Sequence, residues 1–337
     1  MRQRPDIVHA SGWIAHSCAA ALIGESIPLV VSVRDPGYIC ATRSFIRNGR
    51  ICDGPGLQKC LACATQQFGM AKGLASLAGV AGGHGLLKHK LSAAVSVSTY
   101  VDGALQHSFL GEDRRASGKQ ALVIADIVTP SGVSNDEDLS SDPFLKRLPT
   151  EPFILFVGAL RAVKGLNMLL NAYRQLVDAP PLVLIGTAWP DTPRDLPPGV
   201  LMFESVPHRS VMAAWQRSLF GVAPSLLPES LSGVVREGMI SGKAMIATDV
   251  GGTRDMIRHE ESGLLVAAND DDALAIAMRR LIDDAALRER LGAAGRASAA
   301  QFTGQMIATQ FEQLYRRLIS EQRGASDEHN SIPLIRG

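Results

Sequence analysis

One pattern governs the second half of this chain: short apolar runs at 153–157, 182–186, 200–203, 219–223 and 244–248, separated by segments whose apolar residues recur at helical spacing. A strand covered on both faces reads as an unbroken apolar run, and strands that alternate with helices pair in parallel, with the helices packed on the sheet faces. After the first run, Leu166, Leu169, Leu170 and Tyr173 fall on one helical face. Residues 208–217 read as a second helix with Trp215 in the core, and 271–287 and 305–319 as two more. The expectation for 151–320 is a doubly wound parallel sheet of about six strands.

A shorter version opens the chain. Residues 6–10 are an apolar run, 13–23 has helical character and 28–33 is a second run; 91–97 and 121–124 supply further strands. Polar residues stand just past the strand ends: His9 with Ser11, Arg34 with Asp35, Ser98 with Tyr100. Open α/β sheets bind ligands at that edge. Residues 134–142 are acidic and poor in apolar side chains, as a connector is. The expected fold class is α/β, with two Rossmann-like, doubly wound parallel-sheet domains at 1–130 and 151–320, a linker at 131–150 and a disordered tail at 321–337.

A length of 337 residues suits two such domains. The net charge of +1 argues against a protein built mainly to grip nucleic acid, which needs clustered Lys and Arg and a high pI. Residues 1–6 lack the apolar core of a signal peptide, and the longest apolar stretch, 73–87, is glycine-rich and short of the roughly 20 residues a membrane helix needs. A cytoplasmic protein is expected, at most resting on a membrane face.

Four of the five cysteines, Cys40, Cys52, Cys60 and Cys63, fall within 24 residues of an insertion at 38–64. The last two form a C-x2-C knuckle, which presents two thiolates to one tetrahedral ion, and Cys40 with Cys52 would complete a four-thiolate set. Two readings stand: a structural zinc clamp, or reduced thiols packed in an Ω-like loop. In the same insertion Arg43, Arg47 and Arg50, interleaved with Phe45 and Ile46, suit anionic lipid or a charged acceptor, or else form a solvated loop.

Two features of the second half carry chemistry. The run at 153–157 leads into Gly158-Ala159-Leu160-Arg161-Ala162-Val163-Lys164-Gly165 and then a helix. Strand, glycine loop, lysine, helix is a phosphate-binding arrangement, with the lysine a compact point charge for a diphosphate. Further on, Glu229 and Glu237 sit eight positions apart, one before a helix and one inside it. At about 1.5 Å per residue the two carboxylates are at most about 12 Å apart and near one side. They suit two ends of one ligand whose phosphates lie at the helix N-terminus, where unpaired N–H groups and the dipole favour negative charge.

Together these residues resemble the nucleotide-binding half of the GT-B glycosyltransferases, specifically the retaining family 4, whose acids read E-x7-E and whose loop reads G-R-L-x-x-x-K-G. Glu229, Glu237, Gly158 and Lys164 match, while Ala159 stands at the family arginine and Arg161 is a candidate substitute. Ser232 stands where the family has a glycine, with Gly233 next, and Gly251-Gly252 with Asp255 fill a later G-G-x-x-E. In the first half, Asp6-Ile7-Val8-His9 and Val33-Arg34-Asp35 resemble the acceptor-binding domain, and the helix at 305–319 resembles the one that crosses back onto it. Members normally carry further strands before the Asp-Ile-Val-His point. An incomplete first domain, or a fragment, is therefore expected.

The resemblance implies a retaining, metal-independent hexosyltransferase. It would move sugar from a UDP-, GDP- or ADP-sugar to a glycan, lipid-linked or small-molecule acceptor, with no cofactor of its own. In the implied roles, Glu237 binds the ribose, and Lys164 with the N–H groups of Ser232, Gly233 and Val234 neutralises the diphosphate, with Gly158 and Arg161 in the same donor site. Glu229 holds the sugar, and His9 lies beside the reacting sugar; read from the residues alone, His9 is as well a strand-end histidine bonded to backbone. One alternative is a non-catalytic nucleotide-sugar binder or an inactive fragment, which the absent first strands, Ala159, and Ser11 at a position where the family has a second histidine all favour. Another is an epimerase or phosphorylase of the same fold.

Overall fold

The computed structural model describes residues 4–47, 50–106, 121–127 and 142–330. They fall into two compact units, Met1–Ala125 with Ile307–Gly337, and Asp126–Met306.

The first unit runs β1 (Val8–Ser11), α1 (Ile14–Ala21), β2 (Leu29–Val33), a small antiparallel hairpin of β3 (Ile46–Arg47) and β4 (Arg50–Ile51), α2 (Leu57–Phe68), α3 (Met70–Lys90), β5 (Leu91–Ser96), α4 (Thr99–Gln106) and β6 (Ala121–Val123). Its sheet has the order β1-β2-β5-β6, with every pair parallel. Leu29, Val30, Val31 and Val33 are all buried, so β2 is covered on both faces, as its unbroken apolar run requires. The cysteine-rich insertion differs from the loop expected of it. From Leu57 onward it is helical: residues 57–90 contain no proline, and their Ala, Leu, Lys and Gln favour the helix against the cost of the glycines among them.

The second unit runs β7 (Ile154–Val157), α5 (Leu166–Arg174), β8 (Leu182–Gly186), β9 (Val200–Glu204), α6 (His208–Arg217), β10 (Phe220–Ala223), α7 (Gly233–Ile240), β11 (Met245–Thr248), β12 (Leu264–Val266), α8 (Asp271–Asp283) and α9 (Ala285–Ala299). Its six strands are parallel in the order β12-β11-β10-β7-β8-β9. The core gathers Ile154, Phe156, Leu166, Leu169, Leu170, Leu184, Ile246 and Leu274, and Trp215 is fully buried. Asp270 accepts the Ala273 N–H and Asp284 the Leu287 N–H, which caps α8 and α9 at their first turns. The strand order reverses at β7, whose neighbours are β8 on one side and β10 on the other. In open α/β sheets that reversal opens a crevice for ligand at the C-terminal strand ends. The loops that leave β7 and β10 are the two that carry Lys164 and Glu229.

Two boundaries differ from the sequence expectation. Residues 142–150 of the expected linker pack on the second unit: Asp142 accepts from Ser210 Oγ at 2.5 Å, and the Phe144 ring meets Phe203 edge-on at 5.1 Å. Residues 131–141 lie outside the described residues. The last helix, α10 (Gly304–Asn330), sets Ile307, Phe311, Leu314 and Tyr315 against Val30, Val95 and Ile124 of the first unit. It runs on to Asn330 where a disordered tail is expected from 321. No proline interrupts it, and Arg317–Glu321 at 3.9 Å and Arg323–Asp6 at 3.1 Å pair along its last turns. Residues 331–337 lie outside the described residues. Among the described residues no helix is long and apolar enough to cross a membrane.

Candidate functional site

Lys164 and Glu229 meet at the reversal of the second sheet. The loop after β7 turns through Gly158 (φ 147°) and closes on Gly165 (φ 76°), where a side chain would put its Cβ 1.8 Å from the Pro224 carbonyl oxygen. Only glycine permits that approach. The Leu226 N–H donates to the Val163 carbonyl at 3.0 Å and ties the two loops together. Across this seam Lys164 Nζ lies 3.0 Å from Glu229 Oε1. Ser225 Oγ donates to the same carboxylate oxygen, and the Gly252 N–H donates to the Glu229 carbonyl at 2.9 Å. Glu229 is held at both its side chain and its backbone.

The second carboxylate stands one helix further on. Glu237 lies inside α7 and accepts from, or shares a proton with, His208 Nε2 at 3.1 Å. Ser232 is the N-cap of α7, its hydroxyl makes no capping bond, and no acidic residue occupies the first turn. The N–H groups at Gly233 and Val234 keep the electropositive end of the helix available to an anion. Arg236, which the sequence did not mark, is buried beneath this turn: Nη1 donates to the Asp126 carbonyl, and its guanidinium lies 6.0 Å from the Phe302 ring. Neither His208 nor Arg236 belongs to a local motif, so only the folded chain reveals them.

Arg161 does not join this group. Its Nε donates to Asp191 Oδ1 at 3.2 Å and its guanidinium lies 4.5 Å from the Trp189 ring, while the Ala162 N–H donates to the other Asp191 oxygen at 3.2 Å. Arg161 thus fastens the segment after β8 to the β7 loop. Among the described residues, the cation paired with Glu229 is Lys164.

In the first unit His9 lies inside β1, in register with Val30 and not past the strand end as expected, with both ring nitrogens in use. Nδ1 contacts Tyr315 Oη at 2.5 Å and Nε2 contacts Ser32 Oγ at 2.8 Å, and Phe311 stacks at 5.1 Å. Burial lowers its pKa. A cavity of about 200 Å³ opens past the C-terminal ends of β1 and β2, lined by Ser11, Trp13, Arg34, Asp35, Tyr38 and Arg43. Arg43 pairs with Asp35 at 2.5 Å, and Phe45 is buried rather than displayed among the arginines.

The four thiols do not come together. Cys60 and Cys63 are one turn apart on α2, Cys60 Sγ accepts the Gly56 N–H at 3.3 Å, Cys52 Sγ donates to the Gly54 carbonyl at 3.3 Å, and Cys40 lies 3.2 Å from Thr42 Oγ1. Among the described residues no group of three or more His, Cys, Asp or Glu is placed to hold a metal ion. The helix that takes up the C-x2-C pair replaces the knuckle a zinc clamp needs. The thiols are free and partly buried, and burial pushes the Cys52 thiol up.

Residues 141–298 match the family model described as glycosyl transferases group 1. This segment belongs to the group 1 glycosyl transferases. It contains Gly158, Lys164, Glu229, Ser232 and Glu237, so the whole candidate donor site lies within it. The phosphatidyl-myo-inositol mannosyltransferase of Mycobacterium leprae is 30% identical over 205 residues, 58% of this chain and 54% of that protein. An exopolysaccharide phosphotransferase of Streptomyces coelicolor is 33% identical over 134 residues, 38% of this chain and 14% of that protein. The chain thus spans about half the length of the first of these relatives, and far less of the second. Among solved structures, Anabaena HepE in complex with UDP matches with a TM-score of 0.64 at 18% identity, covering 93% of this chain and 79% of that one. That likeness is one of fold: two α/β units with parallel sheets, the GT-B architecture of these structural neighbours.

Proposed function

We propose that the chain is a retaining glycosyltransferase that takes a hexose-type sugar from a nucleotide-diphosphate sugar and passes it to a hydroxyl of a glycan, lipid-linked or small-molecule acceptor. The observation that carries the proposal is the 3.0 Å pair of Lys164 and Glu229 at the sheet reversal, one loop away from an uncapped helix N-terminus. Lys164 and the N–H groups of Ser232, Gly233 and Val234 neutralise the charge that develops on the leaving diphosphate, the kind of term that is commonly the largest in such sites. Gly158 lets the loop approach, and Glu237 accepts the ribose hydroxyls, with His208 orienting it. Glu229 accepts from the donor sugar's hydroxyls and turns its anomeric carbon toward the acceptor.

The bond from the anomeric carbon to the diphosphate oxygen breaks as the acceptor oxygen forms its own bond on the same face. The acceptor proton passes to the departing phosphate oxygen, so the products are a nucleoside diphosphate and a glycoside. His9 serves in this proposal as a positioning residue, setting α10 through Tyr315. UDP-bound HepE among the structures of like fold supports a nucleotide donor. One observation favours the non-catalytic alternative: Ala159 and the engaged Arg161 reduce the expected clamp to a single cation.

Calorimetry with UDP, GDP and ADP, followed by product release from labelled donor sugars, tests the reading. Heat for one diphosphate with sugar released to an acceptor supports it. Heat without release leaves a binder, and no heat at millimolar ligand removes both.

A further inference from the structure

The cavity of about 200 Å³ past the ends of β1 and β2 is lined only by residues of the first unit and takes no part in the donor site. We propose that it holds one uncharged sugar ring, the accepting unit of the transfer proposed above. The inference rests on that reading for the ring's fate, not for its binding.

The lining joins an apolar plate to a fixed polar pair. The Trp13 indole is 50% exposed, and the rim of its six-membered ring faces α3, where a Cβ on Gly79 would stand 3.9 Å away. Arg43 Nη2 donates to Asp35 Oδ2 at 2.5 Å and Nε to Oδ1 at 3.4 Å. The Gly37 N–H donates to Oδ1 at 2.8 Å, and a Cβ on Gly37 would stand 2.6 Å from that oxygen. Ser11 Oγ donates to the Ser32 carbonyl at 3.4 Å, which leaves its lone pairs as acceptors. Arg34 and Tyr38, which complete the polar lining, are engaged within the protein.

The loop that brings Arg43 of the cysteine-rich insertion back to Asp35 is strained. Arg43 (φ 63°) and Phe45 (φ 53°) both occupy the left-handed region that side chains rarely adopt. Burial of Phe45 and the bond from the Cys52 N–H to its carbonyl at 2.8 Å hold the loop there. Backbone of this kind persists only where its surroundings over-determine it, and it clusters at ligand sites.

A pyranose has an apolar C–H face and a rim of hydroxyls, each both donor and acceptor. The face suits a half-exposed indole. The rim suits a charge-matched pair in which Asp35 Oδ2 keeps a second lone pair and Arg43 keeps the N–H groups beyond the two already used. An anionic group would have to draw Arg43 away from Asp35, and an alkyl chain would strip water from the pair and return no hydrogen bond. The volume admits one hexose ring and not two.

Saturation-transfer NMR of the full chain, with and without nucleoside diphosphate, tests the inference. The probes are the methyl α-glycosides of glucose, mannose and galactose, with glucose 6-phosphate as the anionic counterpart. The expected result is saturation of at least one methyl glycoside, unchanged by salt. Trp13→Ala weakens that binding about tenfold and Trp13→Phe restores most of it, while Arg43→Gln weakens it about fivefold. Both side chains are well exposed, so each variant keeps the thermal midpoint of the parent and its calorimetric response to nucleoside diphosphates. Absence of saturation on every methyl glycoside overturns the inference, as does binding that Trp13→Ala leaves unchanged. Tighter binding of glucose 6-phosphate that weakens as salt rises also overturns it, and makes the cavity an anion site. A parent that binds a glycoside through Trp13 but no nucleoside diphosphate supports the sugar site and removes the transfer reading alone.

Discussion

Lys164 Nζ lies 3.0 Å from Glu229 Oε1, and the two residues come from the loops that leave neighbouring strands β7 and β10. The cation assigned to the diphosphate and the carboxylate assigned to the sugar are therefore partners of each other. Removing the carboxylate charge frees the ammonium for phosphate. Glu229→Gln should bind the nucleoside diphosphate as tightly as the parent or a few-fold tighter, while kcat for transfer falls about 10²- to 10³-fold. Calorimetry beside single-turnover sugar release reads both numbers. Unchanged turnover would remove Glu229 from the mechanism.

Lys164→Met acts on the other partner. Losing one charge-assisted contact worth about 1.5–3 kcal/mol weakens nucleoside diphosphate binding roughly 10- to 150-fold. Binding of the nucleoside without phosphates is unaffected. A loss shared equally by both ligands would mean a misfolded loop instead of a missing charge.

Gly251 lies at φ 57°, and a Cβ there would stand 2.3 Å from the Glu229 carbonyl oxygen. Gly251→Ala must therefore push the Glu229 loop away from Gly252. The expected cost is about 1–3 kcal/mol of stability, with a loss of turnover larger than the loss of nucleotide affinity. Thermal denaturation and calorimetry on the same sample check the two effects.

His9 gives a pH dependence of determined sign. Burial lowers its pKa from 6.5 in the folded state, so below about pH 6.5 the unfolded chain binds the proton more readily. Stability supplied by the neutral ring is full above that pH and declines as pH falls from about 6.5 toward the lowered native value. In His9→Gln, whose amide can still reach Ser32 and Tyr315, the decline should flatten. Thermal midpoints of both proteins across this range decide it; parallel curves exclude His9 as the source.

Much of the second unit was legible because strands buried on both faces announce themselves without any long-range information. The helix at 208–217 and the strand at 182–186 match α6 and β8 in full. The short strand β12 escaped because three residues carry too little periodicity to register. The interval between Glu229 and Glu237 was legible, but what holds the two side chains was not. Ser225, His208 and Gly252 reach Glu229 or Glu237 from positions set only by the folded sheet. Arg161 is a further case: its place in the loop suggested a phosphate ligand, while its partner Asp191, 30 residues downstream in the chain, could be seen only in the folded structure. The thiol spacing likewise suited a metal until a helix separated the pair from its presumed partners.

The first unit keeps Val30, Val95 and Ile124 in one cluster with Ile307 and Leu314, side chains that precede and follow the second unit in the chain. During synthesis from the N-terminus the ribosome must therefore deliver every residue of the second unit before the first can close its core. The portion begun earliest is finished latest, and over that interval its β2 and β5 apolar surfaces are what a chaperone would meet.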